Sequence, residues 1–477
     1  MTISRSLCTL LLLCLTGLAQ AGSLYLPMHL SPEIERRVDE LFLLAGMPQV
    51  KKPIPVKLVH TAMAKAERKH PTEVSKIRHY LERYSNTASF THISVGLSNP
   101  QNFDTALANQ RGLGIKSRYQ VSANAYWAVN DNIAVNIGGI AGERDGERDE
   151  FAEGTFLSVG TDWLQADIGY RAHWWSPMQD SAMLISTQAA AMPGITFSNV
   201  RPISSLGFSY EVFMKRMSKS DKIKSQDGSE RLEGNPRLFG LHLGFSPFTN
   251  FNLGINRLMQ YGGADRDDSF KNLMKAFFRP AQQDNSGDQG LDFGNQLSSI
   301  TVAYSFEHII PVGLSMEYAG EDTSEGQNGL LGNTSLLFGL NLPQIGDHLS
   351  LNWEHAEWQT AWYVNGNYGD GLTQWGAILG HWGAEHRKPG HAVGAATDSL
   401  TMHWDFLQGT ELGFNWRQVA NQCSTESCKN IANYKDGYEY GFELNQAYGE
   451  LILNLGLSSG QTVFGDSFGR ISGGIRW

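Results

Sequence analysis

From Phe90 to the end of the chain, apolar side chains recur at every second position in segment after segment. That period belongs to β-strands with one greasy face. The cleanest case is 115–129. Ile115, Ser117, Tyr119, Val121, Ala123, Ala125, Trp127 and Val129 share one face, and Lys116, Arg118, Gln120, Ser122, Asn124 and Tyr126 share the other. Such a run is much longer than the usual strand of about 5–6 residues. It suits a membrane-crossing strand of about 9–11 residues or a little more, lipid-facing on one side and lumen-facing on the other. The chain closes on the same alternation, Ile471-Ser472-Gly473-Gly474-Ile475-Arg476-Trp477, with an aromatic where an interfacial girdle places one.

The connections alternate in length. Short ones fall at Asn130-Asp131-Asn132, Asp162-Trp163, 247–250, 307–311, 343–347, Gln408-Gly409 and 445–448. Long ones lie between them at 98–114, 142–154, 218–236, 262–297, 320–333, 359–396 and 420–436. Outer-membrane barrels sort their loops this way, with short periplasmic turns and long outer loops, whereas a soluble sandwich has no reason to. A closed barrel also pairs every backbone group that hydrocarbon would leave unsatisfied. The pattern predicts a mainly β fold: a transmembrane antiparallel β-barrel of about 18 strands, an even count that returns both ends to the periplasmic side.

Residues 31–84 break the two-residue period. Ser31-Pro32-Glu33 is a helix start, with Ser as N-cap, Pro in the first turn and an acid at the positive dipole end. Ile34, Val38, Leu41, Phe42 and Ala45 then follow at helical spacing up to Gly46. Two further helices fit Val56–Arg68 and the stretch after Pro71, with Val74, Ile77, Leu81 and Tyr84 inward. The bundle should rest one apolar face on another part of the chain and lie across the periplasmic mouth. Lys51, Lys52, Lys65, Arg68, Lys69, Arg78 and Arg83 would meet acidic lumen or turn residues there. Ahead of it, Arg5, the apolar run 7–18 and Ala19-Gln20-Ala21 read as a cleaved signal peptide. The expected organisation is 1–21 signal peptide, 22–86 helical plug and 87–477 barrel.

Composition narrows the function. A net charge of -10 argues against nucleic acid as a partner. Once Cys8 and Cys14 leave with the signal, Cys423 and Cys428 remain, a pair that an oxidising compartment should join as a disulfide. No metal or cofactor is implied; the acidic loop around Glu143, Asp149 and Glu150 lacks calcium-loop spacing and reads as a solvated surface. His173, Asp180 and Ser181 are residue types that a hydrolase uses, but no nucleophile elbow accompanies them.

Aromatics cluster in two places. The segment 359–396 carries Trp362, Tyr363, Tyr368, Trp375 and Trp382 beside His381, Glu385, His386, Arg387 and Lys388, and a second predicted outward loop carries Trp174 and Trp175. Sugar C–H faces pack on such rings while hydroxyls pair with charged groups. Trp174, Trp175, Trp362, Tyr363, Trp375, Trp382 and Arg387 are therefore the candidate carbohydrate-binding residues. The other account of the same rings is an interfacial girdle or loop packing.

The run Asp167-Ile168-Gly169-Tyr170-Arg171-Ala172-His173-Trp174-Trp175-Ser176-Pro177-Met178-Gln179-Asp180-Ser181, continued to Thr187 and by Met192-Pro193-Gly194-Ile195-Thr196-Phe197-Ser198-Asn199, resembles the signature of the Wzi family of capsule-assembly proteins. The resemblance implies an eighteen-stranded barrel in the Gram-negative outer membrane, closed by an N-terminal helical bundle. It also implies a lectin-like protein, neither enzyme nor exporter, that holds capsular polysaccharide or related exopolysaccharide at the cell surface. Expected partners are that polysaccharide, outer-membrane lipid and lipopolysaccharide, and the barrel-assembly machinery, with the chain a monomer. The alternative function is a diffusion porin or oligosaccharide channel.

Overall fold

The computed structural model describes residues 24–99, 118–144, 147–282, 293–307, 309–324, 326–346, 348–360, 362–385, 393–422 and 434–477. The signal segment, Arg387, and the Cys423–Cys428 pair lie outside the described residues. One antiparallel sheet contains nineteen strand segments. Two of them, Glu147–Phe151 and Phe156–Gly160, run along the same neighbour, Ile133–Arg144, and form a single interrupted strand. The wall therefore has eighteen positions. It closes where Ala88–Ser98 pairs with the last strand, Ser467–Arg476, from Ser94 opposite Arg476 to Ser98 opposite Ser472.

The two-residue period sorts the faces as expected. Along Tyr119–Asn130, Val121, Trp127 and Val129 are exposed on the outside while Ser122, Asn124 and Tyr126 are buried within. Leu97, Ile137, Ile300, Leu314, Phe338, Leu453 and Ile471 continue the exposed apolar band around the barrel. Two strands, Gln165–Gly169 and Gly194–Ser198, hold only five residues each, shorter than the expected crossing length. The turn expected at 445–448 lies further on. The strand runs to Tyr448, and Gly449, at φ +61°, supplies the left-handed residue that the turn needs.

At the short-turn end lie three helices, α1 (Pro32–Leu44), α2 (Val56–Ala66) and α3 (Pro71–Leu81). Pro32 sits at the start of α1 as expected, but the Ser31 side chain makes no capping bond; its carbonyl receives the Ile34 and Glu35 amides instead. The apolar faces do not rest on the barrel. Val38, Leu41, Phe42, Val59, Ala62, Met63, Val74, Ile77 and Leu81 pack on one another as a separate core. Three short amphipathic helices can satisfy one another, which leaves their polar sides for the wall.

Those polar sides carry the attachment. Arg36 pairs with Glu411, Arg37 with Asp405 at 3.1 Å, Lys57 with Asp162 at 2.6 Å, Lys76 with Asp405 at 2.9 Å, Lys69 with Glu307 at 2.7 Å and Arg83 with Glu450 at 2.9 Å. The wall's own Arg476 reaches back to Glu33. Of the cations expected to face the barrel, Lys52 and Arg78 pair inside the bundle instead, with Glu35 and Asp39 and with Glu67. A few apolar contacts do cross: Leu43 approaches Gly313 so closely that a Cβ there would lie 2.8 Å from its Cδ1, and the Tyr84 ring stacks on wall residue Tyr126 at 5.6 Å.

Candidate functional site

The long-loop end is closed from within. The segment 170–193 turns back into the lumen instead of standing outward. Arg171, 2% exposed, bridges Asp167 at 2.5 Å and Glu211 at 2.6 Å. Glu211 also accepts from the Trp175 indole N–H at 2.9 Å and faces His173 Nδ1 at 2.7 Å. Burial, with Lys215 adding like-charge repulsion, lowers the His173 pKa to about 3, so the ring is neutral at physiological pH. Its Nδ1 hydrogen then donates to Glu211. Lys51 brings the helical bundle into the same network, 3.7 Å from Glu211, and burial lowers its pKa. Lys52 and Trp174 exchange backbone hydrogen bonds of 2.8 and 3.1 Å, so the bundle and the inturned loop are stitched together.

Two loops then build an apolar layer across the lumen. Trp175, Met178, Met183, Leu184 and Ile185 from the first meet Trp362, Tyr363, Leu372, Ile378, Leu379 and Trp382 from the second. Lumen-facing Phe213, Leu238, Leu258, Leu297, Leu337 and Val419 surround them. Gly240 leaves the space for Trp175; a Cβ there would come within 2.6 Å of the indole. Lumenal glutamates hold the loop backbones. Glu354 accepts from the Gln179 and Asp180 amides and the Ser181 hydroxyl at 2.6, 3.0 and 2.9 Å, and Glu321 accepts from the Tyr363 amide at 2.8 Å. The Tyr363 hydroxyl donates to the Met183 carbonyl and accepts from the His381 amide at 2.9 Å. Arg417 clamps Asp180 at 2.6 Å. Between this layer and the helices lies a polar chamber of about 300 Å³.

The candidate residues accordingly separate. Trp174, Trp175, Trp362 and Tyr363 are at most 2% exposed and belong to the lumenal packing. Trp382 is also buried; it and Trp174 both border the polar chamber, and the Arg417 guanidinium lies 5.9 Å from the Trp382 ring centroid. Trp375 alone of the described candidates stands out, 57% exposed. It forms, with Gly376, the two-residue tip of a hairpin in which Thr373 pairs with Ile378 and Gln374 with Ala377. Both tip residues have positive φ, 52° and 79°. That backbone is the hairpin turn normally given to Asn, Asp or Gly, so a tryptophan there is held against its preference. The tip is anchored where the Trp375 amide donates to Ser218 Oγ at 3.0 Å and the Ser218 amide to Gln374 Oε1 at 2.7 Å. Beside it opens a cleft of about 630 Å³, bordered by Asp149, Glu150, Tyr170, Lys219, Tyr368, Asp370 and Thr373.

His173 and Ser181 do not face each other as a nucleophile and base would; Ser181 bonds Glu354 and His173 bonds Glu211. The residues that hold the loops, Glu211, Glu321, Glu354 and Arg417, were not singled out from the sequence. The available signal was a charged residue at a lumen-facing position in each of four strands, Ser209–Arg216, Pro311–Glu321, Leu349–Trp358 and Thr410–Gln422.

The model of the family described as capsule assembly protein Wzi matches residues 83–391. Among solved structures, the chain is similar to the one described as Wzi, an outer-membrane protein involved in group 1 capsule assembly in Escherichia coli and a carbohydrate-binding β-barrel. The TM-score is 0.68 at 17% identity, covering 96% of this chain and 99% of that one. The Pseudomonas aeruginosa barrel OccK5 (OpdH) superposes with a TM-score of 0.50 at 9% identity, over 82% of this chain and 96% of that one. An uncharacterized 55.8 kDa protein of the cps region of Klebsiella pneumoniae is 22% identical over 251 residues, 50% of this chain and 45% of its own length. The chain thus spans less than half of that curated relative.

Proposed function

Because the chain belongs to the capsule assembly protein Wzi family, we propose that it is an outer-membrane, lectin-like anchor that attaches capsular or related exopolysaccharide to the cell surface. It acts by binding, not by catalysis. The observation that carries this reading is Trp375: a ring 57% exposed, on a left-handed hairpin tip, over a cleft at the long-loop end. An apolar face beside the carboxylates of Asp149, Glu150 and Asp370 suits a sugar, whose C–H face packs on the ring and whose hydroxyls donate to the acids. Trp382 and the chamber it borders form a secondary position; Arg387 stays a proposed contact of the same outer loop.

The rest of the organisation follows from this reading. Residues 1–21 are a signal peptide, the helices face the periplasm, and the outer loops face the medium. A Cys423–Cys428 disulfide would tie one outer loop in that oxidising space. The barrel-assembly machinery and the surrounding lipid are its further partners, and the chain acts as a monomer.

The test is retention. Cells lacking the protein are complemented with wild type or with Trp375→Ala, and cell-bound and shed polysaccharide are measured. Wild type should restore retention, and W375A should shed most of the polymer at equal barrel abundance. Equal retention without any complementing protein would sink the anchor.

A further inference from the structure

The connection between the strands Phe251–Tyr261 and Gly294–Glu307 carries a fourth helix, α4 (Phe270–Phe278). Its N-cap Ser269 accepts from the Asn272 amide. It does not cover the lumen. Its Leu273 and Ala276 are buried against Phe239, Met259 and Tyr261, with Val212, Met214 and Leu241 at the margin. The strand neighbours of those residues, Phe213, Leu238 and Leu258, belong to the lumenal layer. Alternation then puts the helix on the outer surface of the wall.

Its depth can be read from Arg257. This outward-facing cation donates to Gln296 Oε1 at 2.7 Å and to the Ala276 carbonyl at 3.3 Å, and lies 5.1 Å from the Phe277 ring centroid. A cation on the lipid face is costly at mid-membrane and nearly free at the interface. Towards the short-turn end, the same face continues with the apolar Ile255, Leu253 and Phe251. The helix therefore lies where hydrocarbon gives way to headgroups, at the long-loop end.

What α4 shows to its surroundings is two adjacent stripes at four-residue spacing. Phe270 and Phe278 form one, 65% and 71% exposed, with Met274 between them half-buried against the wall cluster. Lys271, Lys275 and Arg279 form the other, all exposed and with no ion pair among the described residues. An amphipathic helix with aromatics beside exposed cations is suited to an anionic lipid boundary. We propose that α4 is a docking site for the phosphorylated, acylated glycolipid of the outer leaflet, its phosphates on Lys271, Lys275 and Arg279 and its acyl chains along Phe270 and Phe278. The leaflet is set by the long-loop end from which the helix hangs. The site goes beyond the polysaccharide reading and does not depend on it.

The test uses the full chain in detergent, titrated by native mass spectrometry with bis-phosphorylated hexa-acyl lipid A, the same lipid stripped of phosphate, and phosphatidylglycerol. Wild type should retain the bis-phosphorylated lipid at least tenfold more tightly than either of the others. The triple variant K271E/K275E/R279E should lose that preference while keeping heat-modifiable barrel migration. Unchanged affinity in the folded variant, or equal binding of the phosphate-free lipid, overturns the site. Equal binding of phosphatidylglycerol overturns the glycolipid assignment. A second measurement places the helix: in F278W, brominated acyl chains in lipid A-containing vesicles should quench the new indole, and absence of quenching refutes its contact with lipid.

Discussion

Replacing Trp375 by Asn separates a binding role from a packing role, because the two predict different pairs of numbers. The left-handed backbone costs a bulky residue roughly 1–2 kcal/mol, and Asn tolerates it with little penalty. Against that gain stands the packing of the part of the side chain that is covered. Trp375 is 57% exposed; on a side chain of ~250 Å², the covered remainder is ~100 Å², or about 2.5 kcal/mol at 25 cal/mol per Å². The two partly offset each other. Hairpin stability in Trp375→Asn should therefore fall by about 0.5–1.5 kcal/mol, a factor of about 2–13 in amide-exchange protection over 373–378. Binding has no such compensation. A sugar that covers one exposed face of the ring removes ~70 Å² from water, about 1.8 kcal/mol, so affinity should fall about 20-fold. The assays are hydrogen exchange on the purified protein in nanodiscs and immobilised-polysaccharide binding with the polymer of the same cell. If affinity is unchanged, or falls only in step with a large loss of hairpin protection, the ring is structural and the argument from its strained backbone is wrong.

The helical bundle offers a contrast of magnitudes. Glu411, 5% exposed, holds both Arg36 and Arg37. Breaking a buried pair costs about 3–5 kcal/mol when a charge is orphaned; Arg36 keeps Glu40 at 2.9 Å, so E411A should cost about 2–3 kcal/mol and speed exchange of the α1 amides roughly 30- to 150-fold. K69A breaks a surface pair with Glu307 and should cost no more than about 1 kcal/mol; equal effects of the two would refute an electrostatic seat. The inturned loop should be pH-sensitive in one direction. A free imidazole titrates near about 6.5, whereas burial keeps His173 neutral down to about 3. As pH falls through that window the undocked loop takes up protons that the docked loop refuses, and docking weakens; protection of 173–185 should hold above pH ~7 and decline below ~6, and H173Q should flatten the profile. Finally, a barrel lacking residues 31–84, once shown to be folded, should still admit sugars slowly in a liposome-swelling assay, because the loop layer closes the lumen by itself; rapid uptake would show that the helices are the sole barrier.

The wall was legible because its physics is local. Lipid on one side and a lumen on the other impose a two-residue period, so Val121, Trp127 and Ser122 reveal their faces without any knowledge of neighbours. The helices were legible for the same reason, though their partner was not. A periodic stripe says that Val38, Leu41 and Phe42 need cover, not that Val59 and Ile77 provide it. The outer loops were illegible because their meaning is tertiary. Trp175 and Trp375 look alike in a sequence; one fills a gap opposite Gly240 and the other stands on a hairpin tip. Nor does a polar-in rule foresee Leu238, Leu258 and Leu297, lumen-facing leucines whose apolar partners arrive from segments remote in the chain.

The two closures rest on different forces, and this bears on what the barrel does. The inner seal is a set of ion pairs on turns and strand ends, from the part-buried Arg36–Glu411 to the well exposed Lys69–Glu307. Such contacts weaken with ionic strength. The outer seal buries Trp175, Trp362 and Met183 in a layer that salt does not loosen, with glutamates satisfying the loop amides beneath it. A gated conduit needs its constriction to be the part that yields. Here the firmer seal faces the medium and ties directly into the hairpin that lifts Trp375, since Leu372 and Ile378 belong to that layer and flank the tip. On the proposed reading the apolar layer would act as a footing: force on a polymer held at Trp375 would be carried into the barrel wall through packed side chains, which is the mechanical property an anchor requires and a channel does not.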